Sequence, residues 1–213
     1  MIATNDETLQ KDTLISIQEN FETIIINSPP NINYTSVNSL IEVATTSSLK
    51  SVNRVINFAG ETKNISSAYV FETSDSTVEA IVPESAVNIT TKGCDTPVGF
   101  ARMKYASHLP PDTKSSTSKY SGTDTLVITT CDDAANVEFQ DPVVIVYKNI
   151  EPPAETIKEA KGKELEPICA YFDPKLDDWK YDGVKTERFG DRVECYITHL
   201  TYFSLLSTVK NEY

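Results

Sequence analysis

The chain has 213 residues, enough to bury a substantial core, and carries 19 Lys and Arg against 31 Asp and Glu, a formal net charge of −12. That balance opposes binding to nucleic acid, whose phosphate backbone calls for clustered basic side chains. No apolar run approaches the ~20 residues that span a bilayer, and the segment from Met1 to Asp6 lacks the basic and apolar regions of a signal peptide.

Residues 8–27 carry Leu14, Ile17, Phe21 and Ile24 at helical spacing, with Leu9, Ile15 and Ile25 widening the stripe, and Pro29-Pro30 ends the pattern. Ser36 is placed to cap a second helix through Val37, Leu40, Ile41 and Ala44, continuing over Leu49, Val52 and Ile56 until Gly60. Residues 1–60 are therefore expected to form a short helical packing layer. From about Ser66 the period changes to two and turn residues multiply. Strands are expected at 68–71, at 78–82 before Pro83, and at 98–106 with Val98, Phe100, Arg102 and Lys104 on one side. A polar loop from Leu109 to Gly122 separates these from strands at 125–129 and 142–147. The last is continuously apolar, as befits a strand covered on both faces. A charged connector over 151–164 leads to Ile168-Cys169-Ala170-Tyr171-Phe172. Short strands at this spacing, without long helices between them, predict a mainly β protein: a β-sandwich over residues 61–213 preceded by the short helical segment.

The C-terminal part holds the chemistry. His199 is a general-base candidate two residues before Thr201, whose hydroxyl is a weak nucleophile until its proton is removed. That hydroxyl reaches the Leu200 carbonyl carbon through a five-membered ring, so covalent connection supplies proximity. The product would be an ester by N-to-O acyl shift, open to hydrolysis. A tight turn between the flanking strands would twist the bond; ~12° of twist costs about 1 kcal/mol, so oxyanion contacts must help. Alone, His-Leu-Thr carries no information, but its surroundings do. In order, the chain presents Cys169, Tyr171, Phe172, Asp173, Trp179, Gly183, Cys195, His199-Leu200-Thr201, Phe203 and Leu206.

This order, over residues 167–207, resembles the GPCR proteolysis site (GPS) motif, which closes the autoproteolysis-inducing (GAIN) domain of adhesion G-protein-coupled receptors and polycystin-like proteins. The resemblance implies single-turnover cleavage in cis between Leu200 and Thr201, with His199 as base and Thr201 as nucleophile, no activity in trans and no cofactor. It implies that the strand after the cut stays in the domain, anchored by Phe203 and Leu206, and acts on the membrane part when pulled out. The implied partners are the chain's own C-terminal fragment, the transmembrane region of a parent protein and an extracellular ligand. The implied location is the extracellular face of the plasma membrane, with signal and membrane segments outside this chain. Residues 1–60 would be a short or truncated counterpart of the family's helical subdomain A, and 61–213 its subdomain B.

Two motif cysteines are absent: Val184 and Ile197 stand in their places, and in the family those two bond each other, so a whole bridge has gone. Phe172 replaces the first motif Trp. Cys169 and Cys195 match the retained pair, and Cys94 is then expected to bond Cys131. The alternative is four reduced thiols in a cytosolic protein. Sequons at Asn33, Asn64 and Asn88 fit a secretory route. Only two histidines exist, His108 and His199, with no Cys-x-x-Cys pair, so no zinc site is expected. The acidic group Asp173, Asp177, Asp178 and Asp182 lacks the ligand spacing of an EF-hand and reads as a solvated turn. Two other readings stay open: a GAIN-like adhesion module that folds without cutting, and an unrelated secreted sandwich in which His-Leu-Thr is coincidence.

Overall fold

The structure is a computed structural model describing residues 32–35, 39–45, 49, 51–58, 61–90, 98–105, 119–120, 124–129, 139–150, 157, 162–173, 176 and 178–209. In chain order its elements are β1 (Ile32–Thr35), β2 (Ser39–Thr45), β3 (Ser51–Phe58), β4 (Glu61–Glu72), β5 (Val78–Pro83) and one short helix, α1 (Glu84–Thr90). There follow β6 (Gly99–Tyr105), β7 (Lys119–Tyr120), β8 (Asp124–Thr129), β9 (Val143–Lys148) and β10 (Leu165–Asp173). The chain closes with β11 (Asp178–Lys180), β12 (Lys185–Phe189), β13 (Arg192–Ile197) and β14 (Tyr202–Val209).

These strands form two antiparallel sheets. The first runs β1-β2-β6-β8-β14-β10-β11, with β7 also pairing β14; the second runs β12-β13-β9-β5-β4-β3. The inner faces meet in one apolar core, to which the first sheet gives Ala44, Phe100, Leu126, Ile128, Cys169 and Phe203. The second gives Phe71, Val78, Ala80, Val82, Val143, Ile145, Val193, Cys195 and Ile197. Phe71 and Phe100 stack across the sheets at 5.7 Å. This is the mainly β sandwich that the alternation predicts. The apolar run at 143–147 is buried at every position because β9 lies between β13 and β5 with both faces covered.

The second helix, expected from Ser36, is a correction: β2 and β3 occupy that stretch. Val43 packs in one cluster with Ala101, Met103 and Val127, while its neighbour Ala44 packs in the inter-sheet core. Consecutive residues facing opposite ways is strand geometry, and the β-branched Ile41, Val43 and Thr45 suit it. The pattern at 37–44 also fits a helix, and long-range pairing with β6 over seven residues decides the matter. The helix expected over 8–27 and the Cys94–Cys131 bridge lie outside the described residues. Within the stretch read as a polar loop, Lys119–Tyr120 form a brief strand against Ser207 and Thr208.

Arg102 points into the core with a fully buried side chain. Its Nη1 donates to Glu42 Oε2 at 3.1 Å and pairs with Asp75 Oδ2 at 3.0 Å; Nη2 donates to Thr77 Oγ1 at 2.9 Å. Glu42 also accepts the Ser74 amide at 2.8 Å. The loop between β4 and β5 is thereby fastened to the first sheet. A guanidinium taken out of water needs charged and hydrogen-bonding partners of this kind, or its desolvation cost would dominate.

Candidate functional site

β13 belongs to the second sheet and β14 to the first, so residues 198–201 form a crossover from one sheet to the other. The turn expected between these two strands is a corner of the sandwich, passing from one sheet to the other. Every residue of the corner is held. The Thr198 carbonyl accepts the Phe139 amide at 2.8 Å. Leu200 is buried and joins the main core. The Thr201 carbonyl accepts the Ile128 amide from β8 at 3.2 Å, and its Oγ1 donates to the Phe172 carbonyl of β10 at 3.2 Å. The nucleophile candidate is thereby clamped between the two strands that flank β14.

The His199 ring meets Tyr171 edge-on, with centroids 4.7 Å apart, and lies 6.0 Å from Phe203. Tyr171 and Phe203 are direct partners in the β10–β14 ladder, so they share one face and offer the imidazole a two-ring seat. His199 Nε2 is sealed from solvent. Burial, with Asp182 and Asp173 nearby, pushes the Tyr171 phenol up, so it remains a neutral neighbour of the imidazole. Sequence reasoning assigned Tyr171 no role. Its signal was the motif alignment itself, which places an aromatic two residues after Cys169.

Cys169 and Cys195 form the expected disulfide, with Cα atoms 5.6 Å apart across the two sheets. Cys195 stands four residues before His199, and Cys169 pairs with Leu205 on β14. The bridge therefore ties the strand entering the corner to the neighbour of the strand leaving it. The Cys169 amide, on an edge of β10 that β11 does not reach, donates to Thr186 Oγ1 of β12 at 3.0 Å. Ile197 is buried, and Val184 packs on the same core, so apolar contact occupies the places of the missing bridge.

Phe172 and Trp179 are cross-strand partners in edge contact at 5.6 Å. They extend a row through Tyr202 and Val127 on the face away from the core. Gly183 has φ of +79° at the third position of the turn from Tyr181 to Val184, closed by a 3.4 Å amide-to-carbonyl bond. Positive φ at that position alone is the type II pattern, which favours glycine. Phe203 is buried toward the core; Leu206, three residues on, is buried on the opposite face of β14. Asp173 Oδ1 accepts the Leu176 amide at 3.3 Å, as a turn residue does. Among the described residues, no group of three or more His, Cys, Asp or Glu is placed to hold a metal ion, and no helix is long and apolar enough to cross a membrane. Asn64 on β4 and Asn88 on α1 are exposed.

No curated protein matches the chain. Among solved structures, the full extracellular region of zebrafish Gpr126/Adgrg6 is similar, with a TM-score of 0.53 at 16% identity. The similarity covers 92% of this chain and 27% of that one, so this chain spans about a quarter of the solved protein. The family described as GPS: GAIN subdomain B matches residues 41–211, a span that includes the whole second sheet, the first sheet apart from β1 and the first residues of β2, and the His199-Leu200-Thr201 corner. The chain belongs to that family.

Proposed function

We propose that this domain is part of the extracellular region of a membrane protein and cuts its own chain once, between Leu200 and Thr201. The observation that carries the reading is the corner itself: base and nucleophile candidates flank one bond, and residues on both sides of it are fixed by core packing and ladder contacts. His199 takes the Thr201 proton, the alkoxide attacks the Leu200 carbonyl, the amide nitrogen leaves with a proton, and water hydrolyses the ester. Holding the backbone still replaces the entropy that a free chain would lose on reaching attack geometry.

The product strand stays. β14 has β10 on one side and β8 with β7 on the other, so a cut at its start leaves its ladder bonds and buried side chains in place. Phe203 and Leu206 anchor it on opposite faces. Drawn out by force, the segment from Thr201 serves the transmembrane part of the parent protein as a tethered signal. An extracellular ligand supplies that force.

Intact mass under denaturing conditions tests the cut. Wild type is expected as fragments 1–200 and 201–213, Thr201→Ala as one chain, and Thr201→Ser as a partial mixture. Cleavage persisting in Thr201→Ala excludes the acyl shift. Size exclusion in native buffer is expected to keep both fragments in one peak; loss of 201–213 from it refutes the tether. A second reading, a GAIN domain that folds without cutting, is favoured by one contact. The Thr201 hydroxyl donates to the Phe172 carbonyl, which is no base, so the proton must leave that bond before attack. A single intact chain in well-folded wild type selects this reading.

A further inference from the structure

Two of the sequons, far apart in sequence, open onto one place. Asn64 lies on β4 in the stretch that pairs only with β3, because β5 joins β4 from Ala68 onward. The chain leaving β5 turns into α1, which packs beside β4 and β5. Between them is a cleft of about 450 Å³ lined by Asn64, Ser66, Ser67, Glu84, Asn88 and Asp141, among others. That volume lies in the range, roughly 300–1,000 Å³, that seats a small ligand. Ser67 Oγ contacts Glu84 Oε2, and Ser85 Oγ donates to Asp141 Oδ2 at 3.1 Å, so the walls are polar groups suited to sugar hydroxyl and acetamide groups. Both asparagines are exposed and able to carry a glycan.

We infer that Asn64 and Asn88 are a paired glycosylation site whose two stems share this cleft, and that one glycan thereby shields the other from trimming. Transfer of the precursor precedes folding, so both sites can be occupied. Once the domain folds, one stem rests in the cleft beneath the other, out of reach of the processing enzymes. The inference rests on the extracellular reading above, since such glycans are added along the secretory route.

The test is glycopeptide mass spectrometry of the full chain secreted from mammalian cells behind a secretion signal. Wild type is expected to keep oligomannose as the major form at one of Asn64 and Asn88. Removing the neighbouring sequon, by Asn64→Gln or Asn88→Gln, is expected to convert that site mainly to complex-type glycan. Ser66→Ala and Thr90→Ala remove the sequons while keeping the asparagines, and are expected to give the same conversion, which separates shielding from any effect of the Gln side chain. Complex-type glycan at both sites in wild type, an empty site, or no conversion in the variants overturns the inference. Occupancy of Asn33 and cleavage at Leu200–Thr201, read in the same sample, report separately on the extracellular and autoproteolytic readings.

Discussion

At one end of β13, Phe189 pairs with Arg192 across the two-residue loop Gly190-Asp191, exposed to solvent and closed within a single sheet. At the other end, residues 198–201 leave the second sheet and enter the first through the core. The hairpin end is solved by backbone conformation. Gly190 has φ of +65° while Asp191 is not positive, which is the type II′ arrangement with glycine first. The corner contains no glycine and is solved by packing and by bonds to β8, β10 and Phe139. The hairpin turn is exposed throughout, and from outside its own strand pair the Asn149 amide donates to the Asp191 carbonyl at 3.1 Å. The corner is pinned by a buried Leu, a seated imidazole and two flanking strands, an arrangement suited to holding the candidate scissile bond still.

That contrast can be broken at its strong end first. Phe203→Ala should cost about 3–5 kcal/mol in denaturant unfolding, because the ring is buried, seats His199 and belongs to the core. Its counterpart at the hairpin end, Phe189→Ala, removes a ring that is 38% exposed and should stay within about 0.5 kcal/mol. Equal losses would mean that the corner is no better packed than the hairpin. Next in size, replacing both Cys169 and Cys195 by Ser should cost about 3 kcal/mol for a sequence separation of 26. It should also slow cleavage, measured by intact mass over time. Unfolding unchanged by reduction would show that packing alone holds the corner.

Gly190→Ala sharpens the comparison from the other side. A Cβ there meets nothing within 4 Å, so the expected loss, roughly 1–2 kcal/mol, comes from the backbone alone, and cleavage should be untouched. A small effect is also expected at Arg192, whose side chain is 51% exposed. It bridges Glu194 at 3.0 Å and lies over the Phe189 ring at 5.4 Å. Arg192→Ala should change stability by at most about 1 kcal/mol, less at high salt. A larger change would assign the hairpin end a tertiary role beyond the bond from the Asn149 amide to the Asp191 carbonyl.

Local signals made much of the C-terminal half legible. The spacing of Cys169, Trp179, Gly183, Cys195 and His199-Leu200-Thr201 is short-range information, and a strand such as 143–147 announces itself by composition. Three things were not legible. Residues 39–45 satisfy both periodicities, and only the partner strand β6 separates them. Arg102 sat on the same side of its strand as Val98 and Phe100. That hint of an inward charge becomes decisive only once Glu42, 60 residues away, and Asp75 are seen to meet it. The Thr201 hydroxyl bond to the Phe172 carbonyl joins atoms 29 residues apart and has no local signature.

From its sequence alone, then, this protein is a mainly β sandwich with a candidate scissile bond at Leu200–Thr201 and a bridge expected from Cys169 to Cys195. Periodicity, side-chain chemistry and motif order carry those facts, and all three act over short stretches of chain. Tertiary structure alone decided that β13 and β14 lie in different sheets, that the chain between them turns a corner around the buried Leu200, and that Tyr171 and Phe203 seat the imidazole. Each of these depends on which strands pair. Pairing is chosen by the burial of side chains far apart in sequence, a free energy that no local window contains.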